Sequence, residues 1–347
     1  MNLFDYHRPA TVDEAIAAWE PGAAYLGGGT NLVDLMKTGA LAPSKLIDLD
    51  RISGLDTIEV LTDGSSRIGA LVRNSDLAYD ADFSEAFPLV AEALLAGASA
   101  QLRNAATVGG NLMQRTRCAY FQDPHSACNR RAPTSGCDAR GGDNHNLAIL
   151  GWSSSCIATN ASDFCVALAA LGAVVEVLGP HGPREIPFTE FHLLPGDTPT
   201  LETALNPGEL ILAVKLPAGA AAFKSHARYL KVRERTSFAF ALASCAAALR
   251  LDGGQIVEAR LALGAVAAKP WRMQAAEDLM VGQSPTRDLF EAAAATALEG
   301  AAPSGDNGYK IELAHRTAAR ALALAAAGTP TQMPTIPASS FGATVHA

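Results

Sequence analysis

No long uncharged apolar run occurs in this 347-residue chain. Its longest apolar stretches are alanine-rich and broken by charge, so none reads as a membrane span. It also lacks a basic run and any stripe of aromatics interleaved with Lys or Arg. With a net charge of −8, that argues against a nucleic-acid partner. The opening stretch MNLFDYHRPATVDEAIA has no basic segment followed by an apolar one, so no signal peptide is expected. Taken alone, this points to the cytoplasm; export would need a partner that carries a signal. Histidine forms no H-x3-H pair. No Ser/His/Asp or Cys/His triad is traceable, and no paired carboxylates are placed for acid–base work.

Cysteine is scarce: there are six, and four of them (Cys118, Cys128, Cys137 and Cys156) fall within 39 residues. That segment, CAYFQDPHSACNRRAPTSGCDARGGDNHNLAILGWSSSC, is rich in Gly, Asn and Arg and has little periodic apolar pattern. Four thiolates from one irregular loop are what an iron–sulfur cluster requires. A loop with no core of its own would take its order from such a centre. Other readings are four unrelated thiols, two disulfides in an exported protein, or a structural zinc. Zinc cysteines usually come as C-x2–4-C pairs, whereas the gaps here are nine, eight and eighteen residues, which favours a 4Fe–4S cluster. Arg130, Arg131 and Arg140 would offset the cluster's negative charge, or else form a solvated basic loop. His125 and His145 read as exposed loop residues rather than donors near the metal. Cys165 and Cys245 sit in apolar helical and strand patterns and read as core.

The length suggests two or three domains. Residues 1–55 read as a small α/β unit. A helix over 14–19 is capped by Thr11 or Asp13, strands span 23–26 and 45–49, and between them lies Gly27-Gly28-Gly29-Thr30-Asn31 followed by a helix over 32–37. Strand, glycine turn and helix start form a phosphate-binding arrangement, although the run is not GxGxxG. A second glycine motif, TVGGNL (Thr107 to Leu112), would supply another nest, and two nests suit the two halves of a dinucleotide. Residues 56–217 read as a second α/β unit with strands over 66–72, 173–177 and 211–216, a helix over 87–102, and an apolar helix from Ser162-Asp163 to Leu171. Residues 218–330 read as α+β: strands over 229–232, 238–251 and 257–263, then helices over 273–281, 287–299 and 311–326. The Pro-, Thr- and Ser-rich end from Thr329 reads as a flexible or partner-wrapping arm.

The strings YLGGGTNLVDLMKTG, IGALVRNSDL, AQLRNAATVGGNL, SDFCVALAALGAVVEV and YLKVRERTSFAFALA occur in one order. In that order the chain resembles the FAD-binding medium subunit of molybdenum hydroxylases of the xanthine dehydrogenase and carbon monoxide dehydrogenase type, over residues 1 to about 330. The resemblance implies an α+β protein. A two-part α/β FAD-binding domain of the PCMH type would occupy residues 1–55 and 56–217, with a 4Fe–4S insertion at 114–157. A C-terminal α+β domain of the CO dehydrogenase flavoprotein type would follow over 218–330, and a tail over 331–347. In most of that family TVGGNL leads almost directly to the Ser-Asp helix. Two branches carry a cluster insertion: the medium subunit of 4-hydroxybenzoyl-CoA reductase and the flavin subunit of periplasmic aldehyde oxidoreductases. CNRRAPTSGCDA, HNLAILG and CIATNASD resemble the second, with a loose match at residues 142–145.

By this resemblance, Gly27, Gly28, Gly29, Thr30, Asn31 and Leu32 hold the FAD pyrophosphate through backbone amides. Thr107, Gly109, Gly110 and Asn111 line the other side. Ser162 and Asp163 lie near the flavin or its ribose, Asp163 being readable also as a simple N-cap. Lys231 stands near the isoalloxazine ring, or is a surface strand lysine. Cys118, Cys128, Cys137 and Cys156 are the cluster ligands. The implied role is electron transfer within a heterotrimer, which fits the missing acid–base machinery. A large molybdenum–pterin subunit would oxidise an aldehyde with water as the oxygen source, and a small 2Fe–2S subunit would pass electrons to this chain's FAD for an external acceptor. The assembly would be periplasmic by co-export. The alternatives are a flavin subunit of an aryl-CoA dehydroxylating reductase, a zinc-stabilised scaffold without redox role, and a stand-alone flavin oxidase.

Overall fold

Three sheets organise the computed structural model, which describes residues 1–330. The first is parallel, with strands β1 (Asp5–His7), β2 (Ala23–Leu26) and β3 (Lys45–Asp48) in the order β1-β3-β2. Parallel neighbours need a crossover, and helix Leu32–Thr38 supplies it between β2 and β3 before ending on Gly39 at φ 83°. The helix before β2 runs Val12–Ala17, earlier than expected, because Thr11 Oγ1 accepts from the Glu14 amide and so fixes its start.

The second sheet is antiparallel, with β4 (Ile58–Val60), β5 (Ser66–Gly69), β6 (Val174–Gly179), β7 (Gly182–Pro187) and β8 (Leu210–Leu216) in the order β4-β5-β8-β6-β7. Sequence reading missed β7. Its Pro183 and Pro187 argue against a central strand, but β7 lies at the sheet edge, where proline is tolerated. The helix expected over 87–102 is two helices, Pro88–Ala96 and Ala100–Ala105. Between them Ala98 takes φ 52°, and Ser99 Oγ accepts from the Leu102 amide to start the second. A serine cap competes with helix continuation at that point. TVGGNL forms a short helix, Val108–Leu112, rather than a nest, with Thr107 as its N-cap.

The third sheet is antiparallel, with β9 (Ala227–Val232), β10 (Ala243–Asp252), β11 (Gln255–Gly264) and β12 (Trp271–Arg272). Gly253 and Gly254, both at positive φ, turn the β10–β11 hairpin. The expected strand over 238–251 begins only at Ala243; Phe238 and Phe240 stay outside the sheet, 55% and 51% exposed. Helices Gln274–Met280, Arg287–Ala297 and Tyr309–Ala327 share the core of this sheet. Helix Asp163–Leu171, buried along its whole length, packs against helix Pro88–Ala96 and strands β10 and β11. The arm expected from Thr329 lies, past residue 330, outside the described residues.

The cysteine segment departs from expectation: it has a small core. Phe121 is fully buried among Ala139, Leu147 and Ile157, and Leu35 and Ala40 of the first unit close over it. Its far end is tied to the last helix. Lys310 Nζ donates to the carbonyls of Asn146 (2.8 Å), Leu147 (3.0 Å) and Ala265 (2.7 Å), and Asn307 Nδ2 donates to those of Leu147 and Ala148. Apolar packing and buried hydrogen bonds thus order a segment whose sequence shows no periodicity.

His192 anchors the short 108–112 helix. Its Nε2 donates to the Leu112 carbonyl at 2.9 Å, its ring meets Phe191 edge-on at 4.8 Å, and burial pushes its pKa down to about 4. A histidine held neutral in the fold contributes stability that is fully present above its unfolded pKa near 6.5 and is lost as pH falls from there toward 4. The cost at the acid end is about 3 kcal/mol. His192→Gln retains a donor and cannot be protonated. Its unfolding temperature should fall less between pH 6.5 and pH 4.5 than that of the wild type; parallel pH-dependent thermal melts measure the difference.

Candidate functional site

A cleft of about 780 Å³ opens where the first unit, helices Pro88–Ala96 and Asp163–Leu171, and the third sheet meet. Gly29, Thr30, Asn31, Gly110, Asn111, Ser162, Asp163 and Lys231 line it. Gly27, Gly28, Leu32, Thr107 and Gly109 stand behind that wall. Their part is to bring the two glycine motifs together. A Cβ on Gly28 would collide with the Ala105 carbonyl, and one on Gly27 would lie 2.7 Å from Thr107 Oγ1. Gly29 adopts φ 73°, the left-handed region that glycine occupies at no cost. Gly109 packs against Ala70, and Leu32 begins the crossover helix.

The helix at 163–171 is capped by Ser162, whose Oγ accepts from the Cys165 amide and donates to Asn111 Oδ1 at 2.7 Å. Asp163 is therefore not the cap. Its carboxylate accepts from Lys231 Nζ and Tyr229 Oη, both at 2.7 Å. Nor is Lys231 a surface lysine: its side chain is 4% exposed, and it also donates to the Ala96 carbonyl. Burial and the neighbouring carboxylate drive the Tyr229 pKa well up, so that hydroxyl remains a donor. Lys231 and Asp163 neutralise each other, and two guanidinium groups also line the cleft. Arg103 donates to the Gly97 carbonyl at 2.7 Å, and Arg117 lies 3.7 Å from Asp34. Burial lowers the Arg117 pKa, with Asp34 opposing.

Four buried polar atoms on the cleft wall have no partner among the described residues: Asn31 Nδ2, Asn74 Oδ1, Arg103 Nε and Arg117 Nε. Buried polar atoms are normally hydrogen-bonded. Four orphans on one concave surface fit a polar ligand, and the volume lies within the usual range for one. Two guanidinium groups beside a glycine turn suit phosphate oxygens. Sequence reading did not single out Asn74, Arg103 or Arg117. Asn74 and Arg103 lay within IGALVRNSDL and RNAATVGGNL; Arg117 carried no signal beyond adjoining Cys118.

Cys118, Cys128, Cys137 and Cys156 line one pocket with Phe121, Ile157, Ala158 and Arg130. All six cysteines are free thiols. Burial, and then neighbouring sulfurs, push Cys118 up to about 11 and raise Cys137. Burial thus disfavours the Cys118 and Cys137 thiolates; a cationic centre beside them would draw the protons off. Among the described residues, no three His, Cys, Asp or Glu side chains converge closely enough to hold a single metal ion. Of the three nearby arginines only Arg130 lines the pocket. Arg131 donates to the carbonyls of Tyr120 and Phe121, and Arg140 to that of Ser153 while stacking on Trp152. His125 is exposed and His145 pairs with Asp143. Cys165, pushed up to about 12 by burial, and Cys245 lie in the two main cores. Cys118 also lines the large cleft, so the two sites share a wall.

Residues 2–219 match the FAD binding domain in molybdopterin dehydrogenase, and residues 228–325 match the CO dehydrogenase flavoprotein C-terminal domain. The chain belongs to the FAD-binding medium subunits of the molybdenum hydroxylase family, an oxidoreductase family. It is 48% identical over 331 residues to the aldehyde oxidoreductase FAD-binding subunit PaoB of Escherichia coli, covering 94% of this chain and 99% of that one. The carbon monoxide dehydrogenase medium chain of Hydrogenophaga pseudoflava is 28% identical over 327 residues, covering 92% and 96% of the two chains. The reconstituted CO dehydrogenase from Oligotropha carboxidovorans superimposes with a TM-score of 0.74 at 26% identity, covering 94% and 99%. No helix among the described residues is long and apolar enough to cross a membrane.

Gly28→Val should give folded protein that has lost most of its FAD, because the side chain forces the 27–31 turn away from Ala105. Gly219→Ala, where an added Cβ meets nothing within 4 Å, should keep its flavin. The flavin-to-protein absorbance ratio of the two variants decides; full flavin in Gly28→Val would show that the close approach of the two motifs does not shape the site.

Proposed function

We propose that this chain is the FAD and 4Fe–4S subunit of a heterotrimeric molybdenum aldehyde oxidoreductase. The observation that carries the reading is the 48% identity, over nearly the full length of both chains, to an aldehyde oxidoreductase FAD-binding subunit. Two features of the molecule support it: the polar cleft with its orphaned donors and the pocket shared by four cysteines. The same identity favours aldehyde oxidation over aryl-CoA reduction. The gaps between the cysteines are nine, eight and eighteen residues, with no C-x2–4-C pair, which favours a cluster over zinc.

In this reading FAD, when bound, accepts electrons from the partner subunits and yields them to an external acceptor. The protein binds and orients it. Turn residues Gly27 to Leu32, with Arg103 and Arg117, hold the phosphates. Gly110 and Asn111 line the cleft on the other side, with Thr107 and Gly109 behind them, and Ser162 fixes the Asn111 amide. Asp163 and Lys231, locked as an ion pair, offer the flavin a dipole rather than a bare charge, and the electronics of a bound cofactor respond to such charges. The partners are a small 2Fe–2S subunit and a large molybdenum–pterin subunit. Export to the periplasm would proceed with whichever partner carries a signal.

Wild-type chain should contain about four irons. Single Cys→Ser changes at 118, 128, 137 and 156 should lose iron, and those at 165 and 245 should not; zinc in place of iron would defeat the cluster assignment. Co-expression with the 2Fe–2S and molybdenum subunits should yield aldehyde-dependent reduction of an electron acceptor. The single chain, with FAD bound, should show none, and turnover by the molybdenum-free chain would mark it as an independent enzyme.

A further inference from the structure

Arg130 is the one arginine of the cysteine segment whose guanidinium is enclosed, its side chain 4% exposed. Nη1 pairs with Glu202 Oε2 at 2.9 Å, and the guanidinium stands beside the Cys156 sulfur. Its Nε is buried with no partner among the described residues, although it belongs to the wall of the four-cysteine pocket. A buried guanidinium N–H without an acceptor is costly. Four cysteine sulfurs stand among the acceptors that line that pocket.

Glu202 comes from the irregular stretch before β8, far from the cysteines in sequence, and also takes Arg115 as a partner. The Arg115 backbone amide in turn donates to Asn31 Oδ1 at 2.8 Å, within the first glycine motif. A partly buried row of alternating charge, Arg115–Glu202–Arg130, thus leads from beside Asn31 on the cleft wall to Cys156.

Resting on the 4Fe–4S reading above, we infer that Arg130 and Glu202 are positioning residues that set the reduction potential of the cluster with opposite sign. One-electron reduction adds a negative charge to the cluster. A fixed guanidinium beside Cys156 favours the reduced form and raises the potential. The Glu202 carboxylate behind it offsets part of that effect. Arg115 also pairs with Glu202 but is more exposed, stacked over Phe121, and contributes less.

The experiment is dithionite-driven potentiometric EPR of the cluster in the full chain, purified in the assembly it forms, with iron content measured on every sample. R130Q should shift the midpoint potential down and E202Q should shift it up. The double variant should fall between them, and R130K, which keeps the charge and loses the Nε donor, between R130Q and wild type. If R130Q loses iron, E202Q and R130K carry the test with the same signs. Unchanged potentials in E202Q and R130K at full iron, or shifts of one sign in R130Q and E202Q, would overturn the inference while leaving the cluster assignment standing. Iron-free wild type would instead remove the reading beneath it.

Discussion

The backbone of Ala105 packs so closely on Gly28 that no side chain fits between them, and most of the candidate site follows from that contact. It brings the 27–31 turn, which belongs to the parallel sheet, against the segment that opens the 108–112 helix, which belongs to the second unit. Thr107 serves both sides: it caps the short helix, and its hydroxyl stands where a Cβ of Gly27 would be. The cleft lies in front of this seam and the cysteine pocket beside it, so the glycines act as a joint between two units.

Around that joint, charge is buried in pairs. Asp163 is met by Lys231 and Tyr229, Glu92 by Arg228 and the Tyr229 amide, and Glu202 by Arg115 and Arg130. Buried ion pairs roughly break even in net stability but are costly to leave half-made. They fix which elements can lie side by side. Here they join helices Pro88–Ala96 and Asp163–Leu171 to β9, and the cysteine segment to the stretch before β8. Among the described residues, five of the six buried side-chain atoms left without partners, by contrast, belong to residues on the walls of the cleft and of the cysteine pocket.

The regular elements were largely legible because their signals are local. Alternation in β5, the Gly-Gly turn between β10 and β11, the serine before Asp163 and the apolar run to Leu171 each act within a few residues. The failures share a cause. β7 was hidden by prolines that only an edge position tolerates. The 87–102 helix was interrupted by a serine cap within an otherwise continuous apolar run. The cysteine segment appeared coreless because its small core is aperiodic in sequence and is closed by Leu35 and Ala40 from the first unit, while Lys310 of the C-terminal helix and Asn307 just before it hold its backbone.

By itself the sequence determined the family, the two glycine motifs and the grouping of four cysteines, since these are matters of residue type, order and spacing along the chain. Tertiary structure decided what each residue faces. It made Ser162 rather than Asp163 the cap, turned Lys231 from a free cation into half of an ion pair, and brought Asn74, Arg103 and Arg117 into the cleft. It also selected Arg130 from three arginines as the one enclosed beside sulfur. Hydrogen bonds and ion pairs act over a few ångströms and depend on which groups are excluded from water together, and for residues as far apart in sequence as Asn146 and Lys310 only the folded chain defines that.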